Sequence, residues 1–196
     1  MSEKPDRDKA MRETIERLFS RELSGIGDRD LRESVVEVWR TAALQGGWRP
    51  EDLERIPFTL LTETHGINLV QHTIAVTEGA LALYESISGA CRLPYDVNRD
   101  WLIAGGLLHD VGKLLEIEER DGGFRKSRSG MCARHPISGA ILCAAAGMPE
   151  EIVNMVACHA KEGEGRPQRP ETILIHQADY ATFDPLVMLQ KGLLIG

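Results

Sequence analysis

Apolar side chains recur at helical spacing along most of the chain, and strand-like alternation is scarce. Met11, Ile15, Leu18, Phe19 and Leu23 form one stripe, which predicts a helix from about Asp8 to Leu23 followed by the loop SGIGDRD. Leu31, Val35, Val38, Trp39 and Ala42 form a second, over about Asp30 to Gln45, stopped by Gly46-Gly47. The two read as an N-terminal helical pair. RPEDLERIP then predicts a short helix with Pro50 near its start and Pro57 near its end.

The longest periodic run, GINLVQHTIAVTEGALALYESI, predicts a helix from about Gly66 to Ile87 with His72 in its interior. YDVNRDWLIAGGLLHDVGK reads as a helix capped by Asn98. The polar, glycine-rich EERDGGFRKSRSGMCAR predicts a loop that could close as a small hairpin. Helices follow at about His135 to Ala146 and Glu150 to His159, then the loop AKEGEGRPQRPE and a last helix, TILIHQADYATF, before a short apolar tail. The expected fold is all-α, with residues 1–57 as an N-terminal helical extension of a helical domain over 58–196.

Composition fits that picture. The chain has 196 residues, 42% hydrophobic and 27% charged, enough for one well-buried domain but not for two full ones. A net charge of −7 argues against a general nucleic-acid binder, whose affinity comes from clustered Lys and Arg. The charged N-terminus does not read as a signal peptide and no segment has the length of a membrane span, so the expected location is cytoplasmic. The four cysteines lack C-x-x-C spacing and are expected to be reduced.

The chemistry lies where ionisable groups interrupt apolar runs. LIAGGLLHDVGKLLEI sets His109, Asp110 and Lys113 in an otherwise apolar stretch, and such groups are costly to bury unless paired or metal-bound. Taken singly, His65, His72, His109, His135, His159 and His176 each suit an ordinary surface or core histidine. As a set with Asp110 and Asp179 they supply the imidazoles and carboxylates a divalent transition metal takes. Adjacent His109 and Asp110 can face one centre only where a helix bends or ends, which Gly112 would permit.

The order His72, His109-Asp110, His135, His159, Asp179 resembles the HD-domain superfamily of metal-dependent phosphohydrolases. HDVGK resembles its H-D-x-G-K word, HPISGA its H-P-x-x-G-A element, and QAD the A-D near its end. The similarity runs from about His65 to Phe183. It implies an HD-domain-like helical bundle in which His72, His109, Asp110 and Asp179 bind one divalent metal. Asp110 would bridge to a second, held by His135 and His159. The metals, Fe, Mn, Mg, Zn or another, would lower the pKa of an attacking water and offset charge on a phosphate. Asp110 and Lys113 are thus the expected catalytic residues, Lys113 lying one helical turn from the pair.

Further substrate-binding candidates are His65, two turns before His72, then Arg125, Lys126, Arg128 and Arg134, and Lys161 and Arg166. His176, three before Asp179, reads as a support of the metal site or a packed residue. The HD-GYP branch, which cleaves cyclic di-GMP, has paired histidines at the fourth element and a later G-Y-P. Here His159 is followed by Ala160 and no G-Y-P occurs, which puts that substrate in doubt and favours two metals over three. The expected substrate is a small phosphorylated molecule, nucleotide-like; nucleic acid and membrane are not expected partners. The N-terminal pair could cover the core or form a homodimer interface. The same ligands would serve a di-iron oxygenase cleaving a C–C or C–P bond, and a non-catalytic regulatory module is a further alternative.

Overall fold

The computed structural model describes residues 3–195. In chain order the elements are α1 (Glu3–Leu18), α2 (Ser20–Ser24), α3 (Arg29–Gln45), α4 (Leu69–Ala90), α5 (Arg99–Leu108), α6 (Lys113–Glu116), β1 (Ile117–Arg120), β2 (Gly123–Lys126), α7 (Arg128–Cys132), α8 (His135–Ala145), α9 (Glu150–Cys158) and α10 (Pro170–Gln190). The fold is all-α apart from the small antiparallel β1–β2 hairpin. Asp121 at φ 55° and Gly122 at φ 79° close that hairpin with left-handed backbone, which suits an Asp-Gly turn.

The first predicted helix is two. Helical geometry breaks at Phe19 (φ −110°, ψ 21°), whose ring packs 4.8 Å from that of Trp39, and α2 resumes at Ser20. The apolar period runs through the break, because Met11, Ile15, Phe19 and Leu23 are all buried, so the pattern alone reads as one helix. RPEDLERIP makes only a 3-10 turn, Pro50–Asp52, in which the Asp52 carboxylate accepts the Arg49 backbone N–H at 2.9 Å.

α4 starts at Leu69 rather than Gly66. Asn68 accepts the Gln71 N–H at 2.9 Å while the Gln71 side chain accepts the Asn68 N–H at 3.1 Å, a reciprocal cap. His65 and Gly66, both at positive φ, form the preceding turn. α5 is capped by Asn98, as its sequence predicts. α10 continues past the expected end at Phe183, through Pro185, to Gln190.

α4 packs against α5 and α10, and α8 pairs with α9. A continuous core runs from Met11 in α1 to Ala178 in α10. No helix among the described residues is long and apolar enough to cross a membrane.

Candidate metal centre and cleft

α5 ends one residue before His109, and the chain then tightens: the Val111 N–H bonds Leu108 O at 3.0 Å and the Lys113 N–H bonds Asp110 O at 2.9 Å. This tight turn, rather than a kink at Gly112, turns His109 and Asp110 toward one centre. Gly112 keeps helical φ (−64°), and its lack of a side chain serves packing instead. A Cβ there would lie 2.1 Å from His135 O and 2.7 Å from Gly139 N, so Gly112 lets the start of α8 rest on the turn. That contact brings His135 to Asp110.

Asp110 is the hub. Its Oδ2 lies 3.1 Å from His72 Nε2, 3.3 Å from His109 Nε2 and 2.5 Å from Lys113 Nζ. Its Oδ1 lies 3.2 Å from His135 Nε2 and 3.7 Å from His159 Nε2. Asp179 Oδ1, from α10, completes the first group at 3.2 Å from His72 Nε2. Two sets therefore have the spacing to hold a metal ion, His72–His109–Asp110–Asp179 and Asp110–His135–His159, with Asp110 giving one oxygen to each.

The far side of every ring is anchored. His109 Nδ1 meets Gly106 O at 2.7 Å and His159 Nδ1 meets Val156 O at 2.8 Å. His135 Nδ1 lies 2.9 Å from Glu116 Oε2, which also accepts the His135 backbone N–H at 2.6 Å. His72 Nδ1 lies 3.0 Å from Thr182 Oγ1, whose hydroxyl donates to Asp179 O at 2.8 Å and so leaves its oxygen to accept. Each neutral imidazole thus carries its proton on Nδ1 and turns the Nε2 lone pair toward the carboxylates.

Lone pairs facing carboxylate oxygens repel unless a cation lies between them. Asp110 Oδ1 and His159 Nε2 are both buried without a hydrogen-bond partner, a costly arrangement that a metal resolves. The donor set therefore fits divalent cations of the transition series.

The charges agree. Burial pushes the Asp110 carboxyl up, but Lys113, His109 and His135 outweigh it and hold it well below the ordinary carboxylate range. Asp179 behaves likewise, with His72 as the main opponent of burial. Burial lowers His72, yet Asp110 and Asp179 outweigh that and raise it, so their meeting point attracts positive charge. His135, in contrast, is pushed down to about 4, chiefly by burial, and its ring stays neutral. Burial raises Glu116, but its bonds from His135, with Lys126 beyond, bring it down to about 2.

His72, His109, Asp110 and His159 are at most 1% exposed, whereas the side chains of His135, Lys113 and Asp179 reach 10%, 12% and 15%. Those three face a cleft of about 660 Å³. Arg125, Lys126, Arg134 and Lys161 line it as well, together with Phe58, Phe124, Tyr180 and Phe183. Arg125, Lys126 and Arg134 are paired with Glu118, Glu116 and Glu162 at 2.8, 3.3 and 2.7 Å.

The remaining candidates lie elsewhere. His65 sits in the turn before α4, half-exposed and 3.9 Å from Glu63, so it shares no helix face with His72 and lines no part of the cleft. Arg128 is exposed at the start of α7, and Arg166 is exposed in the loop before α10; neither lines the cleft. His176 does not face the metal groups; its Nδ1 bonds His159 O at 2.7 Å and steadies that residue from behind.

Sequence reasoning missed Glu116, Thr182 and Phe58, whose ring stacks on His72 at 4.3 Å. Glu116, one turn beyond Lys113, carries a weak periodic signal; the other two carry none, because only the fold brings them to His72.

A family model described as HD domain matches residues 69–184. The chain is 28% identical over 165 residues to ribonuclease Y of Thermosipho melanesiensis, covering 84% of this chain and 28% of that protein. It is 27% identical over 153 residues to ribonuclease Y of Thermotoga maritima, covering 76% and 26%. To dihydroneopterin 2′,3′-cyclic phosphate phosphodiesterase of Methanocaldococcus jannaschii it is 31% identical over 116 residues, covering 58% and 45%. The chain thus spans between about a quarter and a half of these relatives' lengths. No solved structure matches it.

Proposed function

The chain belongs to the HD-domain family, and from that premise we propose that it is a metal-dependent phosphohydrolase that cleaves a small, nucleotide-like phosphate ester at a two-metal site. The observation that carries this reading is the unpartnered, buried pair Asp110 Oδ1 and His159 Nε2, beside a second group built on Asp110 Oδ2. His72, His109, Asp110 and Asp179 would hold one divalent cation, and Asp110, His135 and His159 the other. Such cations supply Lewis-acid charge that lowers the pKa of an attacking water and offsets charge on the phosphate oxygens.

The chain's own groups do the rest. Asp110 ties the two halves of the site into one rigid unit. Lys113, fixed against Asp110 and 5.5 Å over the Phe58 ring, presents an ammonium to the cleft beside the carboxylates, where it can hold a phosphate oxygen. Arg125, Lys126, Arg134 and Lys161 bring further positive charge to the wall, and the aromatic side chains offer a base flat surfaces while excluding water. The relatives named a cyclic phosphate phosphodiesterase and ribonucleases support a phosphodiester as the reacting group.

The test is a panel of phosphomonoesters, cyclic phosphodiesters and short RNA, run with Mn²⁺, Fe²⁺, Mg²⁺ and Zn²⁺ in air and without oxygen. Metal-dependent release of phosphate or opening of a cyclic ester, equal with and without oxygen, is expected. Oxygen consumption by a mixed-valent di-iron form, or no ester cleavage with any metal, would overturn the proposal.

A further inference from the structure

Two tryptophans of the N-terminal segment, Trp39 in α3 and Trp48 in the loop after it, reach into the site segment. Where α5 ends, the Val111 N–H turns to Leu108 O, and the Leu107 carbonyl receives the Trp39 indole N–H at 2.7 Å instead. On the other side, in the short α6, the Leu114 carbonyl receives the Trp48 indole N–H at 2.8 Å. The bonded carbonyls thus lie on either side of the run His109 to Lys113. Both bonds are buried, and the tryptophans are 0% and 4% exposed.

The surroundings are shaped for these contacts. Phe19 packs on Trp39 at 4.8 Å, and Phe124 of the cleft wall lies 6.3 Å from Trp48. A Cβ on Gly46 would come within 2.1 Å of Leu114 O and 2.7 Å of the Trp48 ring, so the chain reaches this carbonyl only with glycine there. Both tryptophans lie outside the 69–184 stretch that matches the family.

A buried carbonyl without a donor is costly, so the turn cannot slide or rotate without breaking both indole bonds. We infer that Trp39 and Trp48 are positioning residues, through which α3 and the loop after it hold His109, Asp110 and Lys113 in register for the metal groups. This rests on the proposed two-metal reading.

The test compares Trp39→Phe, Trp48→Phe, the double variant and Gly46→Ala with Ile15→Val, which trims the same core away from both carbonyls. Mn²⁺ affinity is measured by calorimetry on metal-free protein, with Tm, and kcat and KM are measured on the best substrate of the panel. The double variant should lose about 10-fold or more in Mn²⁺ affinity, the effect of losing outer partners of metal ligands, and a similar factor in kcat with KM nearly unchanged. Gly46→Ala, which displaces Trp48 without trimming it, should reproduce the Trp48→Phe loss and decides the matter if the double variant does not fold. Ile15→Val should lose Tm but neither affinity nor kcat.

Wild-type affinity in the double variant, or a loss that follows Tm alike in Ile15→Val, overturns the inference. A wild-type protein that binds no Mn²⁺, Zn²⁺ or Fe²⁺ overturns the two-metal reading and this inference together. A wild-type protein that binds metal while the double variant matches it overturns this inference alone.

Discussion

Asp110 Oδ1 and His159 Nε2 face each other across 3.7 Å in the buried interior, and neither has a hydrogen-bond partner. Elemental analysis after reconstitution should therefore find about two metals per wild-type chain, about one in His159→Ala and fewer than one in Asp110→Asn, which loses an anionic ligand common to both groups. Activity in both should fall beyond the 10- to 100-fold typical of outer partners. Full occupancy in Asp110→Asn would exclude it as the shared ligand.

Glu116 orients His135 through two bonds to one oxygen. Glu116→Gln should weaken the second metal by about 10- to 100-fold while sparing the first. Metal titration across pH checks this: protons compete for the same imidazole lone pairs, so wild-type affinity should fall at a higher pH for the first group, whose His72 is raised by Asp110 and Asp179, than for the second, whose His135 is pushed down to about 4.

On the proposed function, the outer cleft wall would bind substrate and Lys113 would take part in the chemistry. Lys161→Ala or Arg125→Ala should raise KM about 5-fold with kcat kept, equivalent to about 1 kcal/mol of uniform binding, whereas Lys113→Ala should lower kcat. Arg128→Ala, Arg166→Ala and His65→Ala, all away from the cleft wall, should leave both constants unchanged.

Glu22 offers a stability test remote from the site. Burial first, and then nearby Glu78, push its carboxyl above the ordinary range. Its contribution to folding is complete below the unfolded value, near 4.5, and is lost as pH rises through the higher folded one. Glu22→Gln should raise Tm at pH 7, where the buried carboxylate is charged, and change it little at pH 4, where it is protonated. A gain equal at both pH values would sink that account.

Helices with sharp caps were legible in the sequence: α3 begins after Asp28 and α5 after Asn98, whose side chains accept the first free N–H groups. The break at Phe19 and the run through Pro185 were not, since apolar period and local propensity point the other way at both places. The hairpin was half legible, from Asp121-Gly122, because its short strands lack a clear alternation.

By itself the sequence determined the candidate ligand types and their order from His72 to Asp179, because residue identity and local spacing are written in it. Only the tertiary structure decided that Asp110 turns one oxygen to each metal group, that Glu116 and Thr182 fix the rings, and that Trp39 and Trp48 hold the turn. These contacts join residues from 19 to 110 positions apart, and no local preference encodes them. It decided too that Arg134 and Lys161 reach the cleft while His65, Arg128 and Arg166 do not. A charge along a chain has no direction until packing gives it one.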